Sequence, residues 1–273
     1  MKPQQDQFSY AAIGKGMEVH RTMGPGLDEV FYHDMLKERL RAAGIPFESK
    51  PRAKLLHRGI VADEFEADFL IGRELILELK ALRGDFDAEH LLQIICYLKF
   101  WKLPAGLLFD FGKESLLHKR VAFTAPEWSF DPEAFCAAAP AESDPSLIEQ
   151  LGRSLEFVLR EHGLGYRDTT YRGLLAAELE AEGLNPARDC EAPVRDGTSF
   201  LGQIRLDSLV VSGQTAIRVV ALRDSFQAAD RAVLQTHLRL LGLPWGLAVN
   251  FGKRSIRYEF VRRLRNSCPT NPR

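Results

Sequence analysis

The chain has no run of the roughly 18 apolar residues that a membrane-spanning helix needs, so no membrane partner is expected. Its opening residues, Met1-Lys2-Pro3-Gln4-Gln5-Asp6, lack the apolar core of a secretion signal, and a cytoplasmic protein is the expectation. Cysteine is scarce and scattered. Cys96, Cys136, Cys190 and Cys268 form no CxxC pair, which excludes a zinc ribbon and a disulfide framework. No metal-type His pair, nucleophile elbow or phosphate-binding glycine loop is present, so the common zinc hydrolase, serine hydrolase and P-loop readings fall away. Neither sign of charge dominates. The 36 Lys and Arg against 37 Asp and Glu exclude a wholly basic surface but leave room for a local basic groove.

What is there suffices for a large core: 273 residues, 45% of them hydrophobic, a length that suggests two domains. The chain repeats itself. Leu103-Pro104-Ala105-Gly106-Leu107-Leu108-Phe109-Asp110-Phe111-Gly112-Lys113 returns 140 residues later as Leu243-Pro244-Trp245-Gly246-Leu247-Ala248-Val249-Asn250-Phe251-Gly252-Lys253. Tyr32 and Tyr171, and Asp68 and Asp207, share an offset of 139, which places one inserted residue after Asp207. A register kept over about 100 residues reads as tandem duplication.

The seam is proline-rich, with Pro126, Pro132, Pro140 and Pro145, and reads as a linker over 126–145 between domains at 1–125 and 146–273. Residues 1–140 hold 18 Lys and Arg against 21 Asp and Glu; residues 141–273 hold 18 against 16, and 17 of those 18 are Arg. Phosphates suit arginine's planar fork, so Arg254, Arg257, Arg262, Arg263 and Arg265 are the candidate nucleic-acid contacts, with a solubilising role for a structural half as the equal alternative.

Each half reads as helix, three meandering strands, helix and strand, an α/β arrangement of one mixed sheet flanked by helices. In the first half the pattern predicts helices over 10–23 and 27–43. Strands follow over 53–58, 66–71 and 75–81, then a helix over 87–102 and strands over 106–111 and 119–123.

The most telling stretch is Leu75-Ile76-Leu77-Glu78-Leu79-Lys80-Ala81. Strand alternation sets Leu75, Leu77, Leu79 and Ala81 on one face and Ile76, Glu78 and Lys80 on the other. A three-residue turn at Gly72-Arg73-Glu74 sets Asp68 opposite Glu78, with their Cβ atoms about 5 Å apart. Two carboxylates that close repel unless one is protonated or a cation lies between them. Hard oxygen donors of this kind suit Mg²⁺ or Mn²⁺, and Lys80 can orient a water or meet charge on a phosphate. A surface salt-bridge ladder is the plain alternative. Two further constellations tip the balance: Gly26-x-x-Glu29-x-x-Tyr32 opening the second helix, and Gln93-x-x-x-Tyr97 on the later one.

In this order the residues resemble the GxxExxY proteins, a branch of the PD-(D/E)xK nuclease superfamily, over about residues 10–124. The resemblance implies tandem PD-(D/E)xK (restriction-endonuclease-like) domains. It further implies a metal site from Glu29, Asp68 and Glu78, a catalytic Lys80, and supporting roles for Gln93 and Tyr97. The backbone carbonyl of Leu79 is a further candidate ligand. The literal "PD" is absent, since Ala67 precedes Asp68.

The second half departs from the pattern: Arg218 stands for Glu78, Val220 for Lys80, Val233 for Gln93 and His237 for Tyr97. A two-residue Ser212-Gly213 turn would face Asp207 with Arg218, a guanidinium in the place of a cation. The expected function is therefore metal-dependent hydrolysis of nucleic acid, DNA ahead of RNA, by the first domain. The degenerate copy would serve packing, as an intramolecular pseudo-dimer, or substrate binding. A non-catalytic nucleic-acid-binding or assembly protein, or a subunit that relies on a partner protein, is the competing expectation.

Overall fold

A computed structural model describes residues 4–264 of the chain. The chain divides into two compact units, residues 1–55 with 64–125, and residues 56–63 with 126–273. The chain opens with α1 (Gln4–Met23) and α2 (Glu29–Ala42), then β1 (Phe47–Ser49), β2 (Arg52–His57), β3 (Ile60–Glu66), β4 (Phe69–Ile71) and β5 (Leu75–Lys80), all in the first unit except residues 56–63 of the β2–β3 hairpin. The first unit closes with α3 (Ala88–Trp101), β6 (Ala105–Asp110) and β7 (Leu117–Ala122).

The break after α1 takes positive φ at Gly24 (+67°) and Gly26 (+108°), values that glycine adopts without a Cβ penalty. The Tyr32 hydroxyl then clamps the loop. It donates to the Gly24 carbonyl at 2.7 Å and accepts from the Leu27 N–H at 3.2 Å, while the ring stacks on Phe111. At the other end, α3 is capped by Asp87, whose side chain accepts from the His90 N–H, and stops at Lys102 in a left-handed conformation.

The sheet order is β1-β4-β5-β6-β7, with β5 and β6 parallel and the other pairs antiparallel. The expected three-strand meander is thus modified. The β2–β3 hairpin forms a separate two-stranded sheet, and the short β1, unforeseen in the sequence, takes its place beside β4. Leu75, Leu77 and Leu79 pack under Ala12 and Val19 of α1 and Tyr32, Leu36 and Leu40 of α2, as the alternation predicts. Gly106, opposite Ile76, leaves room that α3 fills, since a Cβ there would lie 3.0 Å from Ile94.

The second unit repeats the plan with α5 (Pro145–His162), α6 (Asp168–Ala181), β8 (Glu191–Asp196), β9 (Ser199–Arg205), β10 (Leu209–Val211) and β11 (Thr215–Ala221). Then come α7 (Ala228–Leu241), β12 (Trp245–Phe251) and β13 (Ile256–Arg262), and the sheet order is β10-β11-β12-β13. Where β1 stood there is only an isolated bridge, Ala187 to Val210. The tyrosine clamp is kept: the Tyr171 hydroxyl donates to Gly163 at 2.6 Å and its ring stacks on Phe251 at 4.0 Å.

The stretch expected as a linker is not featureless. It carries α4 (Pro132–Ala137), capped by Asp131, whose Phe135 is fully buried and would meet a Cβ on Gly152 at 3.2 Å. Within this same unit, residues 56–63 bring His57 to 2.6 Å from Glu178 and 2.8 Å from His162, and Arg58 bonds both Glu178 oxygens at 3.0 Å. Burial works against the Glu178 charge, but these partners outweigh it and hold the carboxyl below its ordinary range. The cluster reads as a satisfied buried network rather than an open site.

Candidate active site

The turn Gly72-Arg73-Glu74 pairs Ile71 with Leu75, the three-residue loop expected from the sequence. Asp68 lies one residue before β4, and its N–H points at Glu78 Oε2, 3.3 Å away. Both carboxyl groups are only 3% exposed. Asp68 Oδ2 accepts the Leu79 N–H at 2.8 Å, which locks the side chain across the strand pair. Glu78 Oε1 lies 3.1 Å from Lys80 Nζ, so the carboxylate and ammonium stand on one face of β5, as alternation requires.

A second cation was not foreseen. Lys50, at positive φ (+53°) in the turn between β1 and β2, donates its ammonium to Asp68 Oδ1, and its N–H bonds the Asp68 carbonyl at 2.9 Å. It stands 18 residues from its partner, and only the β1–β4 pairing brings the two together. A single sequence offers no signal for such a contact. The buried pair Asp68 and Glu78 is thus flanked by two ammonium groups.

The electrostatics follow from burial. Desolvation, reinforced by the neighbouring Asp68 carboxylate, pushes Glu78 up to about 7 despite Lys80 beside it. Burial likewise raises Glu29, the first residue of α2, which feels Lys80, Asp68, Lys50 and His33. For Lys50, burial works against the charged form, but the bond to Asp68 and the nearby carboxylates prevail and hold it above the ordinary lysine value.

Gln93 and Tyr97 are joined as their i, i+4 spacing allows: Gln93 Nε2 donates to the Tyr97 hydroxyl at 3.0 Å. That hydroxyl donates in turn to the Glu66 carbonyl at 2.7 Å, two residues before Asp68. Tyr97 therefore fixes the chain that delivers Asp68. His20 and His90 are engaged elsewhere, His20 with the Lys113 carbonyl at 2.9 Å and His90 in the cap of α3. Among the described residues, no three His, Cys, Asp or Glu side chains are gathered as a ready metal cluster. The oxygens of Asp68 and Glu78 are instead turned onto lysines and N–H groups, while Glu29, at the start of α2, is close enough to feel Lys80, Asp68 and Lys50.

The second unit differs as the sequence foresaw, with one correction. Val211 pairs with Thr215, so the turn is the three-residue Ser212-Gly213-Gln214 and not two residues, with the same pair of positive φ values as Gly72-Arg73. Leu209 opposes Ile217, so continuation of the register sets Ser208, not Asp207, across from Arg218. The inserted residue therefore lies before Ser208. Ser208 is fully buried and bonds the His237 ring at 2.8 Å. Arginine's reach still makes the expected ion pair, with Arg218 Nη1 at 2.6 Å from Asp207 Oδ2. Asp230 adds a second carboxylate at 3.5 Å.

Of the five candidate arginines, Arg254 and Arg257 flank the turn between β12 and β13. Arg262 lies at the far end of β13, opposite Trp245, and pairs with Glu142 at 2.9 Å; Arg263 follows it. Arg257 and Arg262 thus stand at opposite ends of β13, with four residues between them. Arg265 lies outside the described residues.

A sequence model described as the PD-(D/E)XK nuclease superfamily matches residues 6–121 and again 146–264, together most of the chain. No curated protein matches. Among solved structures, the crystal structure of SSO0001 is similar at 16% identity and a TM-score of 0.28, over 48% of this chain. The chain spans 59% of that protein's length.

Proposed function

The chain belongs to the PD-(D/E)XK nuclease superfamily, and from that premise we propose that its first domain hydrolyses phosphodiester bonds of nucleic acid, DNA ahead of RNA, with Mg²⁺ or Mn²⁺ bound. The observation that carries this reading is the buried pairing of Asp68 and Glu78, with Lys80 3.1 Å from Glu78. Two buried carboxylates of one charge are destabilising by themselves, and the raised Glu78 records that strain. Hard oxygen donors in such a pair fit a divalent ion. Asp68 and Glu78 would hold it, with Glu29 and the Leu79 carbonyl as further donors. A bound divalent ion acidifies water and neutralises charge on the phosphate.

The chain's own groups have separable tasks. Lys80 presents its ammonium beside Glu78, where it can orient the attacking water or meet a phosphate oxygen. Tyr97, with Gln93 behind it, holds the Glu66 carbonyl and so positions Asp68. Lys50 balances the Asp68 charge before an ion arrives. Gly26-x-x-Glu29-x-x-Tyr32 further suggests the GxxExxY branch.

A second reading, a binding protein without turnover, draws on the second unit, where Arg218 holds the place of Glu78 and is already neutralised. Incubating the full chain with labelled single- and double-stranded DNA and RNA separates the two. Cleavage that requires Mg²⁺ or Mn²⁺ and disappears in Lys80→Ala supports hydrolysis. Binding without cleavage in any metal favours the second reading.

A further inference from the structure

We propose that the second domain carries a phosphodiester-binding pocket at the turn between β12 and β13, where Arg254 and Arg257, flanked by Lys253 and Arg223, grip a nucleic-acid backbone without cutting it. This rests on the nucleic-acid reading above but assigns a separate site. Between this turn and the segment that follows β11 lies an open cavity of about 350 Å³ lined by these four cations, with Asp224, Gly252 and Ser255. No aromatic or aliphatic residue lines it, and its several donors suit a phosphate.

The cations fall into two kinds. Arg223 is committed to Asp230, at 2.9 and 2.8 Å, and Lys253 lies 3.1 Å from Asp224. The guanidinium groups of Arg254 and Arg257 make no hydrogen bond or ion pair with any described residue, although the Arg257 backbone belongs to the β12–β13 ladder. Both are exposed on the rim of the cavity. Asp230 and Asp224 answer Arg223 and Lys253, but no carboxylate among the described residues answers Arg254 and Arg257. An anion would.

The first domain supplies an internal comparison at an offset of 140. Its turn keeps lysine at Lys113 but has Glu114 where Arg254 stands and Leu117 where Arg257 stands. Lys113 is also occupied: its ammonium donates to the Gly84 carbonyl at 2.6 Å and lies within 4 Å of Asp85 and Asp110. The unpaired arginines thus belong to the copy that replaced Glu78 and Lys80 with Arg218 and Val220. The pocket lies at the carboxyl ends of the parallel strands β11 and β12, the end at which open α/β sheets usually bind ligands.

The test is binding of a labelled single strand and a labelled duplex to the full chain in EDTA, so that cleavage cannot interfere, between about 50 and 200 mM salt. The variant R254E/R257L installs the first domain's residues. Loss of two phosphate contacts should weaken duplex binding about ten-fold or more at low salt and flatten the log–log salt slope by about 1.8. The control R153E/R160L makes the same charge change at two exposed arginines of α5 and should leave the slope near that of the wild type. If thermal unfolding shows that the double variant fails to fold, R254Q/R257Q takes its place. A wild-type chain that binds neither strand, an unchanged slope, or equal losses in the control would overturn the pocket. The two readings fail separately: metal-dependent cleavage with an unchanged slope removes the pocket alone, and a flattened slope without cleavage removes hydrolysis alone.

Discussion

At the residue scale the site is a set of charges held close by burial. Glu78 is pushed up to about 7, so the folded chain holds this proton more tightly than an unfolded chain does. Its contribution to stability is therefore undiminished below the ordinary carboxyl range and declines as pH rises towards 7. Replacement of Glu78 by Gln, which resembles the protonated form, should leave the unfolding temperature in EDTA unchanged at pH 5. At pH 8 it should raise it by several degrees. Lys50 acts in the opposite sense, since its ammonium neutralises a nearly inaccessible Asp68 while itself remaining about half exposed. Lys50→Met should cost about 1–2 kcal/mol in EDTA. The same variant should bind Mn²⁺ more tightly by titration calorimetry, because the ion no longer competes with an ammonium. Glu78 and Lys80 were legible in the sequence because a charged pair interrupts an apolar strand. Lys50 was not, because nothing local in Glu48-Ser49-Lys50-Pro51 announces a partner across β1 and β4.

At the scale of elements, turn geometry decides what meets what. The left-handed residues Gly72-Arg73 and Ser212-Gly213 give both hairpins the same three-residue loop. The first is legible in the sequence and the second is not, because Ser212-Gly213 alone resembles a two-residue turn; that single residue shifts the opposition to Arg218 from Ser208 to Asp207. The helices and the strands β5 and β6 were legible from periodicity. The three-residue β1 and the separate β2–β3 hairpin were not, since short strands carry too few alternations to register. Close approach also sets limits. A Cβ on Gly112 would lie 2.1 Å from the Leu82 carbonyl oxygen, a backbone atom that cannot swing aside. Gly112→Ala should therefore destabilise the first domain by several kcal/mol, while Tyr171→Phe, which removes one clamp hydroxyl, should cost about 1 kcal/mol. Thermal unfolding of the two variants checks both.

At the scale of the whole chain, duplication has left one domain with the carboxylate pair and the other with arginines. In the second, Arg218 is shared by Asp207 and Asp230, and Arg223 also holds Asp230. Arg218→Ala should lower stability, because the buried Asp230 loses a partner, without altering cleavage by the first domain. The division of labour itself is tested most directly by measuring Mg²⁺-dependent cleavage of labelled DNA for the wild type, Asp68→Ala and Asp207→Ala side by side. Cleavage should be abolished in Asp68→Ala and unchanged in Asp207→Ala; wild-type cleavage by Asp68→Ala, or its loss in Asp207→Ala alone, would contradict that division.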